Sequence, residues 1–194
     1  MMDYRKRKRG SSVKHLLFIS SVILGLCWSA IAKDKEIQKE NYPKKIGEFG
    51  DWRAFVSQKN GKKICYMVSF PIKQKGRYKK RGKPYFMVTH RPKDKSYNVV
   101  SVHAGYRFLK DSKSTIIIAA GKTEKEFELF VEGESAWALS DDVDQALTKM
   151  MTKTGESLTV KGESFKGSKI TDTYSLKGSL SAYKAISQEC GLTP

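Results

Sequence analysis

Histidine and cysteine are scarce in this 194-residue chain, which contains three of each. A zinc site takes three or four ligands, drawn largely from these two residue types, so the scarcity argues against a metal. The catalytic patterns Gly-x-Ser-x-Gly and Gly-x-x-x-x-Gly-Lys are missing, and no Cys-x-x-Cys pair indicates redox chemistry. The sequence therefore predicts a protein that is not an enzyme and holds no metal or cofactor.

Long apolar runs are missing except for one near the N-terminus. It extends from Leu16 to Ala32, follows a basic cluster at 5–9 and ends in the small-x-small pattern Ala30-Ile31-Ala32. These are the three parts of a secretory signal peptide, so we predict that residues 1–32 are removed by cleavage after Ala32. The alternative, an uncleaved anchor, is disfavoured because the run is short for a bilayer span and is diluted by serine and glycine.

Acidic residues are few, 20 against 37 Lys and Arg, which gives a formal net charge of +17. The predicted signal peptide holds six basic residues and one acid, so the mature chain keeps a charge of +12. A basic surface attracts polyanions, but an exported protein is separated from the nucleic acids of the cell. We expect a periplasmic, cell-surface or secreted protein without a transmembrane span after cleavage. Its expected partner is an envelope or host-surface component, such as an anionic glycan or lipid, and not nucleic acid.

The cysteines support export. Cys27 lies in the predicted signal peptide, which leaves Cys65 and Cys190 in the mature chain. An even pair in an exported protein is a candidate disulfide. We predict that this bond joins an early strand to the C-terminal end of the domain.

The mature chain divides into a polar lead-in and one domain. Residues 33–46 have almost no apolar periodicity and are predicted to be flexible. Residues 47–191 contain short runs, alternating or continuously apolar, that are separated by turn residues and predict β-strands. The predicted strands are 51–57, 63–70, 85–90, 98–104, 114–120, 126–131, 157–160 and 169–176.

Two segments, 141–152 and 179–190, have apolar residues at helical spacing instead. About eight strands with two short helices predict a mainly β fold, an antiparallel β-sandwich. Large aromatic side chains are expected in its core. The aromatic residues that we assign to this core are Trp52, Phe55, Phe130, Trp137 and Tyr174.

Two further groups of residues were considered as metal sites. His90 and His103 would form one if they met on adjacent strands, but no carboxylate or thiolate stands at ligand spacing beside either. We favour the alternative that they are strand-end and solvent-face histidines. The acids at 141–144 lack the glycine and the distal glutamate of a calcium loop, so we interpret them as the start of a helix.

One segment, residues 73–83 (KQKGRYKKRGK), is unusually basic, with seven positive charges in eleven residues and no acid. Its two glycines and its position between strands predict an exposed, mobile connection. We interpret it as an anion-binding or partner-binding site, with Tyr78 available to stack. The alternative is a solvated loop that only keeps the protein soluble. The candidate binding residues are Lys73, Lys75, Arg77, Lys79, Lys80, Arg81 and Lys83.

Seven strings along the predicted domain form a series. They are FGDW (49–52), Cys65-Tyr66, YFMVTHRP (85–92), NVVSVHAGY (98–106), FVEGESAWA (130–138), DTYSLKG (172–178) and AISQECG (185–191). In order and spacing they resemble the bacterial invasion-associated locus B family. The resemblance covers residues 47–191 and implies an exported protein of immunoglobulin-like β-sandwich type, linked to host-cell invasion. It implies no catalytic residues, and segment 73–83 is more basic than it leads us to expect.

These features predict an exported, non-enzymatic β-sandwich of the invasion-associated type that binds an envelope or host-surface partner and acts in virulence. One alternative is a periplasmic structural or stress protein without a host role. The other is an envelope hydrolase, which would need one deep pocket lined by two carboxylates.

Overall fold

The structure, a computed structural model, describes residues 43–78, 80–153 and 155–193. The predicted signal peptide, its cleavage site after Ala32 and Cys27 lie outside these ranges. The described chain is mainly β with two helices, as the sequence predicts. The strands are β1 (Lys44–Phe49), β2 (Trp52–Lys59), β3 (Lys62–Ser69), β4 (Lys73–Lys75), β5 (Tyr85–Arg91), β6 (Ser96–His103), β7 (Lys113–Ala120), β8 (Thr123–Glu132), β9 (Ser135–Ala138), β10 (Ser157–Glu163) and β11 (Lys169–Ser175). The helices are α1 (Asp141–Lys153) and α2 (Ser179–Glu189), and a short 3-10 turn covers Pro92–Asp94.

All eight predicted strands are present, and three further strands, β1, β4 and β9, were not predicted. β1 begins at Lys44, inside the segment 33–46 assigned to the flexible lead-in, so that boundary lies too late in the chain. Residues 33–42 lie outside the described ranges. Each of the three unpredicted strands is short or poor in apolar residues, so its formation depends on pairing with a neighbouring strand.

The described strands pair antiparallel in one sheet, in the order β1-β2-β3-β5-β6-β9-β8-β7-β10-β11-β4. This sheet curls back on itself. The rings of Phe86 on β5 and Tyr174 on β11 lie 5.8 Å apart although five strands separate them in the order. Near the same point Trp52 on β2 donates its indole N–H to the carbonyl oxygen of Ser175 at 3.1 Å. The two halves of the curled sheet therefore enclose a common core, like the two layers of a sandwich.

Alternation along the strands decides which side chains enter this core. Trp52, Phe86 and Tyr174 are fully buried. The expectation that Phe55, Phe130 and Trp137 also lie in the core is wrong. Phe130 is 44% exposed and stacks on Trp137 at 5.5 Å on the outer face of the sheet. Phe55 stacks on Tyr66 in the same way.

Helix α1 packs on β6 and β9. It forms where predicted. Its buried face is displaced around the helix from the apolar residues of segment 141–152, since it includes Asp144 beside Leu147 and Met151. The carboxylate of Asp144 accepts the backbone N–H of Val100 at 2.7 Å, so this acid satisfies a buried backbone donor on β6. Burial raises the pKa of Asp144 to about 6.

Helix α2 packs on β1, β2 and β3, and the disulfide between Cys65 and Cys190 fixes its C-terminal end to β3. The predicted disulfide is thereby confirmed. Its two Cα atoms lie 6.0 Å apart, an ordinary separation for such a bond.

His90 on β5 lies under α2 and next to the disulfide. Its Nδ1 accepts the backbone N–H of Asn98 at 3.1 Å, so the proton of the neutral ring is on Nε2, which lies 3.3 Å from the hydroxyl of Ser187. Burial lowers the pKa of His90 to about 4, because a second proton would charge a ring that is shielded from water. The imidazole is thus a neutral link between the sheet and α2.

We expect His90→Gln to reduce the loss of stability on mild acidification. The folded-state pKa of about 4 lies below the ordinary value of 6.5, so the unfolded chain binds the proton more readily. The neutral ring therefore contributes stability that is complete above pH 6.5 and is lost as the pH falls toward 4. The amide of glutamine has an acceptor and a donor like the neutral ring, but it does not titrate. The measurement is the free energy of unfolding by urea at several pH values across this range.

The pKa shift of Asp144 changes the pH dependence of stability in the opposite direction, so the experiment has to separate the contributions of Asp144 and His90. The raised pKa of Asp144 means that the free energy of unfolding falls as the pH rises from 3.8 to about 6. The histidine variants are therefore compared in a protein that also carries Asp144→Asn. The control is His103→Gln, which removes the other histidine of the described residues from the outer side of β6. A slope that is equal for the His90 and His103 variants would contradict the role assigned to His90.

Candidate anion-binding cleft

The basic segment 73–83 is anchored to the sheet and is not a free loop. Lys73, Gln74 and Lys75 form β4, which pairs with β11, and the backbone N–H of Ile72 donates to the carbonyl of Thr173 at 2.8 Å. The expectation of a mobile connection is therefore wrong for this first part of the segment. Positive charge does not oppose pairing here because all three residues of β4 are exposed to solvent.

Arg81 has a different environment from the rest of the segment. Its side chain is only 3% exposed and forms a two-point ion pair with the equally buried carboxylate of Asp172 on β11. Its Nε also donates to the carbonyl of Ala104 at 2.8 Å, and the rings of Tyr78 and Tyr106 each lie 5.2 Å from its guanidinium carbon. Burial opposes the charge, but the hydrogen bonds and the charge of Asp172 outweigh it and raise the pKa of Arg81. Arg81 therefore holds the segment in place and is not available to a ligand.

A close backbone contact adds a further anchor beyond Arg81. The N–H of Gly82 donates to the carbonyl of Gly105 at 2.7 Å. A Cβ atom on Gly105 would lie 2.4 Å from the carbonyl oxygen of Gly82, and Gly105 has a φ of +69°. Only glycine satisfies both conditions, so these two glycines fix the path of the basic segment.

The other six candidate residues differ in their surroundings. Lys73 and Lys75 are exposed on β4, and Arg77 and Lys80 are exposed beyond its end. Lys83 lies over the ring of Phe70, with its Nζ 4.3 Å from the ring centre. Lys79 lies outside the described residues. Of the six candidates that the structure describes, Arg77 and Lys80 line a cleft.

This cleft has a volume of about 920 Å³ and lies between the basic segment and the turn that joins β10 to β11. It is lined by Gly76, Arg77, Tyr78, Lys80, Tyr106, Ser164, Phe165, Lys166, Ser168 and Ile170. Three of these described lining residues are cationic and none is acidic. The basic segment and the β10–β11 turn thus form one positively charged recess. We call it the basic cleft.

The sequence did not indicate the second wall of the basic cleft. Phe165 and Lys166 lie in a short turn of ordinary composition, about 90 positions from Arg77. Tyr106 belongs to the connection after β6, and burial beside Arg81 raises the pKa of its hydroxyl. The only local signal for this second wall in the sequence is the string Phe165-Lys166-Gly167, which places an aromatic ring next to a cation.

The other groups considered as sites are separate from the basic cleft. His103 pairs with Tyr85 at the opposite end of β5 from His90, so the two histidines do not meet. No group of three or more His, Cys, Asp or Glu side chains within residues 43–78, 80–153 and 155–193 has a geometry that could hold a metal ion. A smaller cleft of about 510 Å³ beside α1 contains Asp142, Lys149 and Lys153. In the same described ranges, no helix has the length and apolarity needed to cross a membrane.

The fold and the cleft define a class of protein, a disulfide-linked, mainly β protein with one basic, aromatic-lined recess. The chain belongs to the Invasion associated locus B (IalB) protein family, whose model matches residues 52–187. The family resemblance noted in the sequence is confirmed by this match. No curated protein and no solved structure matches the chain.

Proposed function

We propose that this family member is an exported, non-enzymatic protein that uses the basic cleft to bind an anionic component of the envelope or of a host surface. The observation that carries the proposal is the convergence of Arg77, Lys80 and Lys166 on one recess whose described lining includes no acid. Like charges repel, so bringing three cations together lowers stability unless an anion binds there. Export rests on the signal-peptide pattern and on the disulfide, which forms in oxidising compartments.

The anchoring of the basic segment supports binding over simple solubility. Lysines that serve only to keep a protein soluble need no fixed position. Here the ion pair of Arg81 with Asp172, together with the contact between Gly82 and Gly105, holds the neighbouring cations in one place. A site that is rigid before binding loses less conformational entropy when the ligand arrives.

The hydrolase alternative has less support. Such an enzyme needs two carboxylates in one pocket. Among the described residues, the basic cleft has none in its lining, and the smaller cleft has Asp142 alone. The cations of the basic cleft favour holding an anion over general acid catalysis.

We expect the double substitution Arg77→Gln/Lys80→Gln to weaken binding to immobilised heparin and to anionic phospholipid vesicles. Each cation near an anionic surface contributes about 1 kcal/mol, so the loss at low salt is about 30-fold. The measurement is the salt concentration at elution from heparin, together with vesicle co-sedimentation at several salt concentrations. The dependence of binding on salt should also become weaker.

The matched control is Lys59→Gln/Lys122→Gln, which removes the same charge from exposed positions at the end of β2 and in the turn between β7 and β8. If binding responds only to net charge, the two double variants will elute together. Equal elution would reject the basic cleft as the binding site. Arg81 is left unchanged in both variants because its loss would disturb the fold.

A further inference from the structure

The two walls of the basic cleft come from distant parts of the chain, but each combines an aromatic ring with at least one cation. One wall has Tyr78 with Arg77 and Lys80, and the other has Phe165 with Lys166. From this pairing of rings with cations we infer that the ligand is an acidic oligosaccharide. Its carboxylate or sulfate groups pair with the cations while its sugar rings stack on Tyr78 and Phe165. The inference rests on the proposed function and narrows it to one class of ligand.

The two rings are unusually accessible for aromatic side chains. Phe165 is 54% exposed and Tyr78 is 42% exposed, so neither contributes much to the core. The guanidinium of Arg81 covers part of Tyr78, and Lys166 lies 5.4 Å from the centre of Phe165. Single exposed apolar residues are common on protein surfaces, but two exposed rings in one cationic recess are not explained by solubility. They are explained by a ligand that has apolar faces as well as charge.

An acidic sugar has this combination of groups. One face of a pyranose ring presents mainly C–H groups, and the electron-rich face of an aromatic ring attracts them. The lining also contains the hydroxyls of Ser164 and Ser168. Ser164 Oγ accepts the backbone N–H of Ser168 at 3.1 Å, and its own proton has no acceptor among the described residues. A small inorganic anion would use the cations alone and leave the rings without a role.

The shape of the basic cleft favours a single chain over a membrane surface. The cations and rings line a recess of about 920 Å³, which is near the upper end of ordinary ligand sites. An oligosaccharide can enter between the two walls and contact both. A bilayer is broad and flat, so it would contact the rims of the walls and leave most of the recess empty.

The test is Phe165→Ala, which removes one ring and keeps every cation. The probes are a heparin-derived octasaccharide, inorganic sulfate, and vesicles of phosphatidylcholine with phosphatidylglycerol, with binding measured by calorimetry and co-sedimentation. We expect the octasaccharide to bind the variant about 2- to 10-fold more weakly, as for the loss of one aromatic contact. Binding of vesicles and of sulfate should not change. The matched control is Phe130→Ala, which removes a ring of comparable exposure, 44% against 54%, from β8 outside the cleft.

The outcomes separate the inference from the proposed function. Weaker octasaccharide binding by the Phe165 variant alone, with vesicle binding unchanged, supports the oligosaccharide. Unchanged octasaccharide binding, or an equal loss for vesicles, overturns the oligosaccharide but leaves anion binding standing if Arg77→Gln/Lys80→Gln still weakens retention. If that double variant also binds normally, the proposed function fails as well. Unfolding midpoints of the Phe165 and Phe130 variants close to that of the natural protein exclude a general loss of structure.

Discussion

Asp172→Ala is expected to lower the free energy of unfolding by about 3–5 kcal/mol, the cost of breaking a buried ion pair by removing one partner. The side chains of Asp172 and Arg81 are each 3% exposed, so the substitution leaves the guanidinium charged, buried and without its counter-ion. Loss of a proton cannot relieve this charge, because the guanidinium of arginine stays protonated in proteins. The measurement is urea unfolding followed by tryptophan fluorescence, because Trp52 lies in the same core.

Two further variants establish the cause. Glu128→Ala breaks the exposed pair with Lys113 and should cost less than about 1 kcal/mol. Arg81→Leu combined with Asp172→Leu removes both charges and should recover much of the loss, since apolar replacements of buried pairs are well tolerated. A cost for Asp172→Ala no larger than that for Glu128→Ala would refute the role given to the buried pair.

Loss of the disulfide is expected to have an effect of similar size. Cys65 and Cys190 are separated by 125 positions, and in the chain-entropy model a loop of that length stabilises the folded state by up to about 4–5 kcal/mol. The bond also holds α2 against β3, next to the neutral ring of His90. Cys65→Ala/Cys190→Ala, or reduction of the natural protein, should therefore shift the urea midpoint strongly downward.

The comparison of reduced and oxidised protein provides the control. Dithiothreitol should lower the midpoint of the natural protein and leave that of the double alanine variant unchanged. Mass spectrometry should find that the oxidised protein has two hydrogens fewer than the reduced one. If dithiothreitol does not change the urea midpoint of the natural protein, α2 is held by packing alone.

The sequence predicts the positions of strands better than the direction of their side chains. Phe130 lies on β8 and Trp137 on β9, a strand that was not predicted, and the apolar character of the two rings does not say which face of the sheet they take. Cross-strand packing decides the face, and it places these two rings together on the outer side of the sheet. β4 could not be predicted at all, because Lys-Gln-Lys has no apolar pattern and is a strand only through its bonds to β11.

The candidate site shows the same limit. Segment 73–83 was identified by its charge, and two of its described cations, Arg77 and Lys80, line the basic cleft. Nothing in that run distinguishes Arg81 from its neighbours, because Asp172 lies 91 positions away. Lys166 and Phe165 were missed for the same reason. Local composition predicts a basic surface, but which cation is buried and which can bind depends on contacts between distant parts of the chain.

The order of the strands leaves the described sheet with two edges, β1 and β4. An open edge has unpaired backbone groups onto which a second molecule can add its own strand, which is a route to aggregation. β4 is only three residues long with a lysine at each end, and β1 begins with Lys44 and Lys45 just before an irregularity in its pairing. Charge, shortness and irregular pairing are all means of preventing such addition. The abundance of lysine that attracts an anion at the basic cleft thus also keeps the edges of neighbouring molecules apart.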